Sequence, residues 1–207
     1  MKKPLLSLVI FSTIFFGIIL FSVIFGGYSS LYRAQNRARD TKIMVTVECQ
    51  KQLGLIPKLI SMARKTDNFN PTGPNQADLK QIEQTALNHK EILTQITSTK
   101  QPMEKELVLT FEQSQIQLSR EIIGLISKIK KDKSLGSTPT FIDLEKKFND
   151  LEITVFYNGT KYNKEAIYFN TRKSIFPGFL IAKLFGFDQI FIYELTTERF
   201  KPAKLRS

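Results

Sequence analysis

The chain has 207 residues, with 30 basic against 19 acidic side chains, a net charge of +11, one cysteine and one histidine. That length holds one domain with a real core, and a single cysteine excludes both an internal disulfide and a four-cysteine metal site. The positive balance suits an anionic membrane surface or an acidic partner; nucleic acid is set aside as a partner because no nucleic-acid motif is present.

Leu5 to Phe25, LLSLVIFSTIFFGIILFSVIF, carries no charge and follows Lys2 and Lys3. As a helix it spans roughly 30 Å, the hydrocarbon thickness of a bilayer. A cleaved signal peptide has a shorter apolar region, about 7–15 residues, and a small-x-small cleavage site. The residues that follow here, Gly26-Gly27-Tyr28-Ser29-Ser30, make a poor one, and no cysteine stands there for a lipoprotein. A retained single span is therefore expected over a cleaved signal, and over a buried core helix. Lys2 and Lys3 favour a cytoplasmic N-terminus. Arg33, Arg37, Arg39 and Lys42 argue the other way but begin farther from the span. The expected topology is N-terminus inside and body outside.

From Tyr28 to about Lys65 the residues Val45, Cys49, Leu53, Ile56, Ile60 and Ala63 recur at steps of three and four. That is the seam of an amphipathic helix continuing out of the span, with a kink expected at Pro57. On this seam Cys49 reads as a small buried hydrophobe in preference to a redox thiol. Thr66 to Asn75 is a loop rich in Pro, Gly and Asn. A second helix, about Gln76 to Ser98, has the seam Leu79, Ile82, Ala86, His89, Leu93 and Ile96. His89 lacks a second ligand or an oriented carboxylate on its face, so a buried structural histidine is expected.

After a short turn, with Pro102 suited to a first helical position, a third helix is expected from about Met103 to Lys131. Its seam is Leu107, Phe111, Ser114, Leu118, Ile122, Leu125 and Ile129. Thr138 can cap and Pro139 can start a fourth helix, with the seam Phe141, Leu144, Phe148, Leu151, Val155, Asn158, Tyr162, Ala166 and Phe169. Asn158 is its polar member, a residue type that sets register. The fold class predicted is all-α: an N-terminal transmembrane helix followed by a long antiparallel four-helix bundle.

From Phe176 the chain turns aromatic and apolar, but Pro177, Gly178, Gly186, Lys183 and Asp188 rule out a second span. The fourth helix is nearly as long as the first beyond the membrane, so its end returns to where the span emerges. Phe176, Phe179, Lys183, Phe185, Phe187 and Phe191 are thus candidates for contact with the membrane surface. The competing reading has them close the open end of the bundle, and the two can share residues. The segments expected are a tail and span over 1–27, the bundle over 28–175, an aromatic membrane-proximal segment over 176–193 and a basic tail over 194–207.

An ordered series of short elements resembles the LemA family of bacterial membrane-anchored proteins. Leu55-Ile56-Pro57-Lys58-Leu59 resembles its Leu-Ile-Pro-Asn-Leu element, with Lys58 departing. Phe148, Leu151 and Glu152 resemble its Phe-x-x-Leu and glutamate. Tyr162-Asn163, Phe169-Asn170, Phe176-Pro177 and Gly186-Phe187 resemble its later series. Gly159 stands where the family usually has arginine, and Lys51-Gln52 where it often has two, so any ion pair those arginines make in relatives is in doubt here. The resemblance implies the anchored bundle, no known enzymatic activity, and structural roles for Leu55, Pro57, Glu152, Tyr162, Asn163, Asn170, Phe176 and Pro177.

No phosphate-binding glycine loop, second histidine or nucleophile motif is present. The function expected is a non-enzymatic helical scaffold or interaction protein of the bacterial envelope, in the cytoplasmic membrane. The alternative is an accessory or regulatory subunit of a membrane enzyme such as a protease. No catalytic residue, metal or cofactor is expected; the expected partners are membrane lipids and an unidentified protein, with the oligomeric state open.

Overall fold

The computed structural model describes residues 3–66, 75–99 and 103–193. Pro102, expected to open a helix, and the tail from 194 lie outside them. The described residues hold five helices and no strand: α1 (Lys3–Ala63), α2 (Asn75–Ser98), α3 (Lys105–Lys130), α4 (Pro139–Ser174) and the short α5 (Gly178–Phe185). The apolar N-terminal stretch is continuous with the first helix of the body, and α1 runs on through Pro57 to Ala63. It is the one described helix long and apolar enough to cross a membrane.

α4 starts where the sequence places it. The Thr138 side chain accepts a hydrogen bond from the Phe141 N–H, and Pro139 occupies the first turn, where its missing N–H costs nothing. α3 begins at Lys105, two residues later than expected, with Glu104 at the cap position; Met103 is instead buried as a core residue. The α4 seam also differs by one residue. Gly159 is buried and Asn158 only half-buried, because the periodicity steps from Val155 by four and then three to reach Tyr162, not by three and then four.

The helices are unequal, and that shapes the site. At 1.5 Å per residue α2 and α3 are each about 36–39 Å long, whereas α4 is about 54 Å. The α2–α3 hairpin therefore stops short of the end of α4. Lys42 marks the level: its Nζ donates to the carbonyls of Ile96 and Thr99, at the C-terminus of α2, over 3.3 and 2.9 Å, where a cation offsets the helix dipole. Between Lys42 and the apolar stretch only α1 and α4 continue side by side, antiparallel, with Arg37 paired to Glu165 at 3.3 Å and Arg172 donating to Ser30.

Two apolar cores fill the bundle. The distal one gathers Ile56, Leu59, Leu79, Leu118, Ile122, Phe141 and Phe148; the proximal one gathers Ala34, Val45, Cys49, Leu93, Phe111, Tyr162 and Phe169. A polar layer separates them. Gln52 Nε2 donates to Glu152 Oε1 at 2.9 Å, Ser119 Oγ donates to the same oxygen at 2.5 Å, and Gln115 Nε2 donates to Gln52 Oε1 at 2.9 Å. Burial pushes the Glu152 carboxyl up, against the opposing pull of its two hydrogen bonds.

Candidate functional site

Where α2 and α3 end, α1 and α4 would face solvent along one side with apolar seams uncovered. The chain covers them with its own continuation. After Ser174 the chain turns at Ile175–Pro177 and forms α5, then runs extended from Phe187 to Tyr193 back along α4. Two glycines permit the path. The backbone of Arg172 approaches Gly178 too closely for any side chain there. Gly186 adopts φ +69°, the left-handed cap that ends α5.

The extended stretch is held by two asparagines of α4. Asn163 Nδ2 donates to the Tyr193 carbonyl and its Oδ1 accepts from the Tyr193 N–H. Asn170 makes the same pair with Ile190, at 2.7 and 3.0 Å. Tyr162 adds a hydroxyl bond to the Phe191 carbonyl at 2.7 Å. The spacing explains the match. Seven residues of helix rise about 10.5 Å, and three residues of extended chain cover about 10 Å. Two asparagines two turns apart therefore meet two backbone residues three apart.

The side chains of this stretch complete the proximal core. Phe187, Ile190 and Tyr193 are buried, each gaining roughly 1.5–3 kcal/mol. The Tyr193 ring lies 4.4 Å from that of Tyr162 and 5.4 Å from that of Phe111. Burial pushes the hydroxyls of Tyr162 and Tyr193 well up, so both stay neutral. The motif residues Tyr162, Asn163 and Asn170 thus act together to bind the return stretch.

α5 sits against α1 just past the apolar stretch. Ile181 packs onto Gly27, and the Phe185 ring is 4.8 Å from that of Tyr28, three residues beyond Phe25. Its inner residues, Ile181 and Ala182, are buried. Its outer ones are not: Leu184 is 68% exposed, Leu180 50% and Phe179 48%, with Lys183 among them, and Phe176 in the turn before the helix is 72% exposed.

The six residues proposed from sequence for membrane contact therefore divide. Phe176, Phe179, Lys183 and Phe185 lie on the exposed side. Phe187 corrects the expectation: it is 6% exposed and points into the core, because the chain reverses at Gly186. Phe191 is half-buried against the same core. Of the other motif residues, Leu55 is half-buried beside the distal core, Pro57 is exposed within α1, Glu152 belongs to the polar layer, and Pro177 forms a cis bond with Phe176.

The chemistry-bearing residues elsewhere are buried singly. Cys49 is fully buried, and burial, with Glu152 and Glu48 adding to it, pushes its thiol far up, which removes the thiolate a redox role needs. His89 is fully buried with Nδ1 2.8 Å from Ser114 Oγ, and burial pushes its pKa down to about 4. Among the described residues no group of three or more His, Cys, Asp or Glu could hold a metal. What sequence reasoning missed is the role of the asparagines, whose partners are backbone groups and leave no mark in residue type.

No curated protein matches this chain. A family model described as the LemA family matches residues 78–205, a span that takes in α2 to α4, α5 and the return stretch. The chain belongs to the LemA family.

Proposed function

We propose that this protein is a single-pass, membrane-anchored helical scaffold of the bacterial envelope, without enzymatic activity of its own, and that α5 lies on the membrane surface beside the anchor. The N-terminus is cytoplasmic and the bundle stands outside the cytoplasmic membrane. The observation that carries this reading is the contact of Phe185 with Tyr28. It holds α5 at the level where α1 would leave the bilayer, with an apolar outer face beside Lys183, Arg172 and Lys173. Aromatic and aliphatic side chains next to cations suit the headgroup boundary of an anionic bilayer. Two contacts with the membrane, a span and a surface helix, would restrict the tilt of a bundle about 55 Å tall.

The partners of this scaffold are membrane lipids and a protein. A subunit that steadies a membrane enzyme such as a protease would use the same anchored rod, and crosslinking in cells followed by identification of the captured protein separates the two roles. The membrane reading is tested by flotation of residues 28–207, first shown helical by circular dichroism, with vesicles containing phosphatidylglycerol. Flotation that falls when Phe179 and Leu184 are changed to serine is the expected result. A folded body that stays at the bottom of the gradient contradicts it.

A further inference from the structure

Between α1 and the chain that leaves α5 lies a cleft of about 310 Å³. Met103, Tyr162 and Ile190, all buried, form its floor, and Tyr32, Gln35 and Asn36 line its wall along α1. One end is cationic. Arg39 and Lys42 line it from one face of α1, and neither meets a carboxylate among the described residues. Lys42 is only 5% exposed. An ammonium has three N–H groups; two go to the carbonyls of α2, and the third remains for a ligand. Asp188 also lines the cleft, so the three charges leave one positive charge uncompensated. A buried cation without a counter-charge is costly, and a single negative charge in the cleft offsets that cost.

The other end is lined by Tyr28 and Phe185, whose rings pack against each other, on the membrane side if α5 is seated as proposed, and the inference rests on that reading. From Tyr28 to Lys42 the cleft follows α1 for about 21 Å. A phospholipid in its normal place does not reach the cations. Headgroups extend roughly 5–7 Å beyond the hydrocarbon, whereas Arg39 stands about 21 Å along the helix from Phe25. A phosphate monoester would bring two charges to a site with room for one, facing Asp188.

We infer that the cleft binds a single-chain amphiphile with one negative charge, of the fatty-acid class, its carboxylate between Arg39 and Lys42 and its apolar body directed toward Tyr28 and Phe185. Arg39 supplies an exposed guanidinium that can close over the carboxylate as a fork, and Lys42 supplies the fixed inner charge.

The test uses the full chain in phosphatidylcholine nanodiscs and two probes, a diazirine-bearing palmitate and the corresponding neutral alcohol, with labelled residues mapped by mass spectrometry. The palmitate probe is expected to label Met103, Tyr162 and Ile190 at least about tenfold more than the alcohol, the equivalent of one charge-assisted contact. Arg39→Gln, with its helicity checked, is expected to reduce that labelling by about tenfold. No cleft labelling by the palmitate probe, or labelling equal for the alcohol or in Arg39→Gln, overturns the inference. Labelling of Phe179 and Leu184 by both probes with the cleft unlabelled leaves the membrane seating of α5 standing and removes the cleft site. Labelling confined to the span removes both.

Discussion

The amide of Asn163 on α4 satisfies both backbone groups of Tyr193, thirty residues later, with Nδ2 to carbonyl at 2.6 Å and Oδ1 to N–H at 2.7 Å. Asn163 is 8% exposed and Tyr193 1%. Buried backbone groups without partners cost about 1–3 kcal/mol each. Asn163→Ala is therefore expected to destabilise the protein by about 2–4 kcal/mol in chemical denaturation, and to speed amide exchange at Ile190 and Tyr193 in the return stretch before that in α4. A change within about 0.5 kcal/mol contradicts the role assigned to this pair.

His89 makes stability depend on pH. Its folded pKa is about 4, below the ordinary value near 6.5. The unfolded chain thus takes up a proton first as pH falls, and stability present above about pH 6.5 is lost toward pH 4, on the order of 3 kcal/mol from this group. His89→Gln loses the ring contact with Phe111, whose centroid is 5.7 Å away, and is expected to be about 1–2 kcal/mol less stable at pH 8. The deficit shrinks or reverses by pH 4.5. Denaturation midpoints of both proteins across that range check this; parallel curves contradict it.

Glu152 works in the opposite sense. Burial raises its folded pKa above the unfolded one, so the folded state holds the proton more tightly. Its ionised form weakens the fold above the folded pKa, and the penalty is relieved as pH falls through that pKa toward the unfolded value. Glu152→Gln keeps an acceptor for Ser119 and Gln52. It is expected to be at least as stable as wild type at pH 8 and to lose its advantage on acidification, as read from the difference in unfolding free energy. An advantage that grows as pH falls contradicts this role for Glu152.

The helices were legible because their apolar residues repeat: Phe111, Leu118, Ile122, Leu125 and Ile129 lie on the expected seam and are buried, and Thr138 with Pro139 marks the start of α4. Asn158 misled because steps of three and four can be taken in either order. The return stretch was not legible as such. Phe187, Ile190 and Tyr193 recur every three residues, which resembles a helix seam, yet the chain there is extended and bound through its backbone. The departure at Gln52 was visible, but its consequence was not: the glutamine meets Glu152 with a neutral hydrogen bond where an arginine would bring a charge, and burial pushes the carboxyl up against the opposing pull of that bond and of Ser119.

The proposed function turns on α5 resting on the membrane beside the anchor. The chain contains no tryptophan, so one introduced residue reports alone. Phe179→Trp and Leu184→Trp on α5, and Leu87→Trp on the exposed side of α2 as a control, are placed in the full chain and reconstituted in vesicles carrying lipids brominated along the acyl chain. Strong quenching at both α5 positions, with the control unquenched, is the predicted result. Quenching at 179 and 184 no greater than at 87, in protein with wild-type helicity, contradicts the membrane seating of α5.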